Sequence, residues 1–373
     1  MTVKFSELAP DEIFNEVMDF IKRNARVQKN DQVGRVEKFS PEHYDSATLD
    51  CNMTTPNVQR KPMFQPLHCN HDHYWMALHA CYQNTRRQDI LGKWINEEFD
   101  SYVGKILSEK FGNKRDNEPL RVLGVGSSEG YLETLQLKKL TTKFPRISAS
   151  VIEPSTQRIS EYQETKRQKS NEITGIEYEW HNQTFQQFVT SKAARQKYHF
   201  ISIINAIYFL GELEDTIKQL YNFLQPGGII FVVVVKEISG TGLIVKTFPR
   251  LAVEEPNLRT TTESHSVKTN HIINSTDVKS VLSKNQMAYS QSSVTDSIDL
   301  TTCFTQDEMT PETKLMLDTL TMTVKFSESA PDGIFNDVMD VIKRNTRVEK
   351  SDQGDDKYYI DNQFDILIIS KQP

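Results

Sequence analysis

Three glycines and one acid are the first residues of this chain able to do chemistry. Gly124, Gly126 and Gly130 stand in RVLGVGSSEG, and Glu153 follows in SASVIEPS. Glycine at a strand-to-helix turn lets a ligand approach the backbone, and the helix start beyond it offers free N–H donors. A dinucleotide fingerprint would need glycine at position 129, where Glu129 stands. A pyrophosphate would meet that added carboxylate, so a nicotinamide dinucleotide is disfavoured. Glu153 comes twenty-seven residues after Gly126, at the end of the next β-branched run. In an open parallel sheet both would flank one crevice beyond the strand ends, where a carboxylate can accept both hydroxyls of a ribose.

Later runs end in further candidates. YEWHNQTFQQF brings Thr184 or Phe185 to where an adenine would lie, by a hydrogen bond or by packing; Phe185 reads equally well as core. IINAIYFLGE puts Ile204 and Asn205 beside the same ligand, with Tyr208 and Phe209 as walls of an adjoining pocket. A nucleoside gripped by its sugar, without phosphate, is the form in which S-adenosylmethionine (SAM) presents itself. Its sulfonium already makes the methyl group electrophilic, so no nucleophilic residue is assigned. Asn205 and Tyr208 are candidates for orienting an acceptor nitrogen; in the plainer reading they satisfy strand-end backbone. HCNHDHYW gathers His68, Cys69, His71 and His73, but no partners at ligand spacing stand elsewhere, and no metal is assigned.

The elements that must hold these residues follow from periodicity. LRVLGVG, ISASVIEP, IEYEW, YHFISIINAIYFL and GGIIFVVVVKEI are β-branched runs separated by helical patterns such as LETLQLKKLTTKF, STQRISEYQETKRQK, TFQQFVTSKAARQ and ELEDTIKQLYNFLQ. Near-continuous apolar strands alternating with helices predict a parallel sheet covered on both faces. Amphipathic helices are predicted over about Tyr74 to Phe111, and a helix with Ser275 near its N-cap over STDVKSVLSKN. AYSQSSVTDSIDL reads as an alternating strand, TPETKLMLDTLT as a helix, and FDILIISK as a closing strand added antiparallel at the sheet edge.

Composition bounds the partners. The chain has 373 residues, 37% hydrophobic and 25% charged, with 44 Lys plus Arg against 50 Asp plus Glu. This is ordinary for a globular protein, and the formal net charge of −6 carries no footprint for nucleic acid or an anionic membrane. No apolar stretch approaches a membrane span, and four irregularly spaced cysteines form no disulfide framework. The expectation is a cytoplasmic monomer acting on a small molecule.

With those residues in hand, the chain resembles the histamine N-methyltransferase family, from about Tyr74 to Lys371. The motifs that carry the resemblance are RVLGVGSSEG, VIEPS, YEWH, AIYFLGE, ISG after the fifth strand, Cys303-Phe304 and IDNQFDILIIS. It implies a Rossmann-like class I methyltransferase, α/β, with a mostly parallel seven-stranded sheet, its last strand antiparallel, and helices on both faces. It implies a SAM-dependent enzyme that methylates a small amine, histamine or a histamine-like imidazole amine. SAM is then held at positions matching Gly126 and Glu153, at Arg158 where the family has glutamine, and near Phe185 where the family has serine. Thr184, one residue earlier, would supply the hydroxyl, and Ile204 a backbone contact. For the amine the resemblance implies Asn362, aromatic walls including Tyr74 and Tyr208, and a glutamate whose place Arg87 takes here. A guanidinium cannot accept a hydrogen bond and repels an ammonium group; Asp89 lies two residues on. The tryptophans expected after Ser239-Gly240 are absent, with Leu243 and Thr247 in that stretch. Two other readings therefore stand beside the first: an inactive SAM-binding homologue, and a methyltransferase for an acidic or zwitterionic amine paired with Arg87.

One more pattern bears on organisation. Residues Met1 to Gln32 and Met322 to Gln353 are the same segment with seven differences over thirty-two positions. Nothing between them repeats, which excludes a solenoid. Each copy holds an amphipathic helix, PDxIFNxVMDxIKRN, but only the second runs on into the strand YYIDNQFDILIIS. The expected organisation is a peripheral duplicated segment (1–32), a polar linker (33–72) and a methyltransferase domain (73–373), with 240–357 as insertions covering the substrate.

Overall fold

The computed structural model describes residues 65, 67, 70–112, 118–169, 174–237, 239–240, 273–305 and 308–372. The chain divides into two compact units, Met1–Lys61 and Pro62–Pro373, and every described residue belongs to the second. The N-terminal copy, nearly all of the linker, His68, Cys69, Leu243 and Thr247 lie outside the described residues.

Helices α1 (His71–Gln83) and α2 (Arg87–Glu97) open the described chain, followed by a π-helical turn Asp100–Gly104 and α3 (Lys105–Phe111). Strands and helices then alternate: β1 (Leu120–Val125), α4 (Tyr131–Thr141), β2 (Ile147–Ile152), α5 (Thr156–Gln168), β3 (Ile176–His181), α6 (Phe185–Thr190), β4 (Tyr198–Ile204), α7 (Leu213–Phe223) and β5 (Leu224–Val235). After them come α8 (Ser275–Lys284), β6 (Ala288–Asp299), α9 (Thr302–Thr305), α10 (Pro311–Thr321), α11 (Phe326–Ser329), α12 (Asp332–Arg344), β7 (Arg347–Lys350) and β8 (Asp356–Ser370). The expected helix in TFQQFVTSKAARQ is split, because Ser191 turns extended after α6 before a 3-10 turn at Ala193–Arg195. The cap of α8 is Asn274, whose side chain accepts from the N–H groups of Thr276 and Asp277.

The sheet runs β3-β2-β1-β4-β5-β8-β6, with β1 to β5 parallel and β8 antiparallel to both its neighbours. Two expectations change. The closing strand is not at the edge: it lies between β5 and β6, because Ile366, Leu367, Ile368 and Ile369 are all buried and need cover on both faces and both sides. The polar, alternating β6 suits the edge, its first four residues being exposed. An eighth strand is also present, since fifteen-residue β8 outruns β5 and its first residues pair with exposed β7 across a turn containing Gly354 at φ +90°.

The parity of each strand divides the core. Phe200, Phe231, Phe364, Ile366 and Ile368 face α2, α3 and α4, packing on Leu91, Trp94, Leu107 and Leu137. Ile201, Ile203, Val232, Leu367 and Ile369 face the other layer with Phe188, Ile217, Leu220 and Leu282. A third cluster joins Cys81 of α1 with Met316 and Leu320 of α10, Val338 and Ile342 of α12, and Ile298 and Ile360 of the sheet. Helix α12 is the amphipathic helix of the second copy, with Ile334, Phe335 and Met339 packed on the same cluster, Asp332 in its first turn and Lys343 and Arg344 in its last. Asp318 ties α1 to α10: its carboxylate faces His73 Nε2 at 2.5 Å and accepts from the N–H groups of Lys325 and Phe326. Of the stretch 240–357, α8 and β6 belong to the main layers, whereas α10 and α12 join this third cluster.

Candidate functional site

Strand β1 ends in a turn that glycine makes possible. Gly126 sits at φ +65°, and a Cβ there would meet the Cβ of Ala206 at 2.5 Å. Gly130, at φ +71°, caps α4, where any side chain would run into the ring of Tyr162. Between them Ser128 takes φ +50°, a region that side chains rarely occupy. Its N–H is thereby aimed at Glu153 Oε2, 3.0 Å away, while Oε1 accepts from the N–H of Ser155 at 3.0 Å. Glu153 is buried, 4% exposed. Burial raises its carboxyl above the usual carboxylate range against the opposing pull of the Ser155 and Ser128 N–H groups and Arg158. The glycine turn and the strand-two acid are thus one hydrogen-bonded unit at the carboxyl ends of neighbouring strands β1 and β2.

The other cofactor candidates divide. Ile204 is the last residue of β4 and half-buried. Arg158, on the first turn of α5, pairs with Glu161 at 2.8 Å and Glu129 at 3.6 Å, and its Cζ lies 4.9 Å over the Trp75 ring. The carboxylate at position 129 thus shares Arg158 with Glu161, and Gln88 of α2 donates to its Oε1 as well. Thr184 caps α6, its hydroxyl accepting from the N–H of Gln187. Phe185 turns inward, 3% exposed, with its ring edge-on to Phe223 at 6.3 Å.

The amine candidates gather further along the sheet, where β4, β5, β8 and β6 lie side by side. Asn205 leaves β4 at φ +53°, and its Oδ1 is buried with no hydrogen-bond partner among the described residues. Tyr208 accepts from the N–H of Val235 at 2.8 Å, and burial pushes its phenol up to about 12. Val235 pairs with Phe364, two residues from buried Asn362 on the same face of β8. Tyr74 comes in from α1 with its ring 5.8 Å from that of Phe209, which is 6.0 Å from Tyr208. Arg87, at the start of α2, lies over the rings of Phe364 (4.7 Å) and Tyr82 (5.1 Å). Tyr74, Asn205, Tyr208, Arg87 and Asn362 thus come together at the carboxyl ends of the parallel strands, whereas Asp89 is exposed on α2.

The structure adds residues that spacing did not single out. Asp296 of β6 stands opposite Asn362 in the register, 1% exposed, with its Oδ2 4.0 Å from Arg87 Nε. Its signal in the sequence is one acid at the inward parity of an alternating strand, between Val294 and Ile298. Glu133 of α4 is buried under the glycine turn and accepts from the hydroxyl of Ser127 at 2.5 Å. An open groove of ≈ 420 Å³ is lined by Trp75, His79, Gln83, Arg158, Glu312 and Leu315, among others; Arg158 alone of the sequence-derived candidates borders it. No group of three or more potential metal-binding side chains occurs among the described residues, and none of their helices is long and apolar enough to cross a membrane.

No protein-family model matches the chain. It is 22% identical to histamine N-methyltransferase of Xenopus tropicalis over 308 residues, 81% of this chain and 96% of that one. Histamine N-methyltransferase of Danio rerio is 26% identical over 253 residues, 66% of this chain and 80% of the relative. Carnosine N-methyltransferase 2 of Gallus gallus is 25% identical over 240 residues, 63% and 69% respectively. Among solved structures, a Bacillus subtilis protein superposes with a TM-score of 0.41 at 12% identity over 72% of this chain and 99% of its own, too loosely to carry weight. The glycine turn, the strand-two acid, a mostly parallel sheet with an inserted antiparallel strand and similarity that spans 96% of the Xenopus tropicalis relative lead to one conclusion: the chain is a SAM-dependent methyltransferase of class I architecture, related to the histamine N-methyltransferases.

Proposed function

We propose that the chain methylates a nitrogen of a small amine, histamine or a histamine-like imidazole amine, by direct in-line transfer, working as a monomer in the cytoplasm. The observation that carries this reading is that the Glu153-bound glycine turn and a cluster of Tyr208, Phe364 and Asn362 flank the end of β4 from its two sides. When bound, SAM supplies an electrophilic methyl group on its sulfonium.

The chain's own residues bind and align. Glu153 keeps its carboxylate buried, with lone pairs left over after the two N–H bonds, which suits a sugar diol. Gly126 and the backbone of Ile204, at the ends of neighbouring β1 and β4, are the groups to receive the nucleoside. Asn205 Oδ1, aimed out of the strand without a partner among the described residues, and Asn362 are the groups to orient the acceptor nitrogen. Tyr208 holds the end of β5 through Val235 and gives the pocket a fixed wall. Tyr74 forms another wall, edge-on to the exposed ring of Phe209. Holding both reactants in near-attack geometry contributes on the order of 7–11 kcal/mol to such a step, and no nucleophile is needed.

The test is calorimetry with SAM followed by methyl transfer to a panel that includes histamine and carnosine. Hydrogen bonds to a charged group are worth about 1.5–3 kcal/mol, so Glu153→Ala should weaken SAM binding roughly ten- to a hundredfold. Equal affinity of the two proteins, or no methyl transfer to any amine, removes the proposal.

A further inference from the structure

The amine pocket contains two opposite charges that do not complete each other. Arg87 Nε and Asp296 Oδ2 are both buried, and neither has a hydrogen-bond partner among the described residues. They face one another at 4.0 Å, too far for a hydrogen bond. Asp296 is held by its other oxygen, which accepts from the N–H of Arg86 at 3.1 Å. Arg87 is held by the rings beneath it, 4.7 Å from Phe364 and 5.1 Å from Tyr82. Asn362 is directly opposite Asp296 on the same face of the sheet.

We infer that Arg87 and Asp296 are the specificity-determining residues of this pocket, and that its substrate is a zwitterionic amine whose carboxylate pairs with Arg87 while its cationic nitrogen pairs with Asp296. The inference rests on the amine-methylation reading above and narrows its substrate class. A buried guanidinium and carboxylate left half-satisfied are costly, and a ligand with one group of each sign completes both without adding net charge. A plain cationic amine would complete Asp296 and confront Arg87 with a second positive charge. A planar guanidinium is also suited to grip a carboxylate through two parallel N–H bonds.

The experiment uses two matched pairs whose members differ only by a carboxylate: histidine with histamine, and carnosine with β-alanylhistamine. Binding of each to the full chain is measured by calorimetry with S-adenosylhomocysteine present. In at least one pair the carboxylated member should bind at least about tenfold more tightly, the loss expected when a charge-assisted hydrogen bond is missing. Arg87→Gln should bring that ratio close to one, and Asp296→Asn should weaken both members alike. Ratios near or below one in both pairs for the unaltered protein overturn the inference, as does a ratio that Arg87→Gln leaves unchanged. Arg87→Lys, which keeps the charge and loses the fork, serves if the glutamine variant does not fold, and should lower the ratio only in part. Methyl transfer is followed in the same samples. Tight binding of the carboxylated member without transfer supports this inference and removes the reading above, whereas turnover of plain amines with flat ratios does the reverse.

Discussion

Glu153 and Glu133 show how one residue type takes two places in the fold, twenty residues of chain apart. Glu153 was legible because an acid at the end of a second strand, after a glycine turn, has few other reasons to be there. Glu133 was not, since an acid in the first turn of a helix is commonly a favourable match to the helix dipole. In the fold it is buried, and burial raises its carboxyl to about 7 against the hydrogen bond from Ser127. The folded-state value lies above the usual 4.5, so the folded chain holds the proton more tightly than the unfolded one. That stabilisation is complete below pH ~4.5, is lost as pH rises towards 7 and is gone above it. Unfolding free energies from urea titrations at pH 5 to 8 should therefore fall with pH by an amount on the order of 3 kcal/mol that Glu133→Gln abolishes; parallel profiles for the two proteins would refute this. Thr184, an expected ligand contact, caps α6 with its hydroxyl oxygen, which accepts from the N–H of Gln187.

Among the elements, periodicity found most strands and helices, because a two-sided apolar run and a 3.6-residue stripe each admit few other states. It could not say where the closing strand inserts. FDILIISK has no feature that distinguishes an edge from the interior until β5 and β6 are present to cover it. Helix α12 decides a different matter, the use of the repeated segment. Ile342 is fully buried in the third cluster, and its equivalent in the first copy is Ile21. Removing a buried isoleucine to its Cβ typically costs 2–5 kcal/mol. Chemical denaturation of Ile342→Ala should show a loss of about that size, whereas Ile21→Ala should stay within roughly 0.5 kcal/mol of the parent, as for a residue outside a core. Equal losses would assign both copies to the folded unit.

For the molecule as a whole, the division at Lys61 and Pro62 leaves every described strand and the three sheet-packed clusters of described residues in the second unit. A chain lacking residues 1–61 should therefore keep the SAM affinity and melting midpoint of the full chain, measured by calorimetry and by circular dichroism. A large drop in either would make the leading segment part of the working fold. Helix α1, which carries Tyr74, is tied to α10 through His73 and Asp318, so the position of Tyr74 depends on the late part of the chain.

The order of residues alone determines the class of the fold and the glycine turn with its acid at the strand ends. Both depend on neighbours in sequence or on the fixed direction of parallel strands. The pairing of Arg87 with Asp296 came only from the tertiary structure. Those residues are more than two hundred positions apart, and their proximity follows from β8 slipping between β5 and β6 and carrying β6 to the face on which α2 packs. A charge that looks misplaced on a lone helix acquires its meaning from the carboxylate that the sheet brings beneath it.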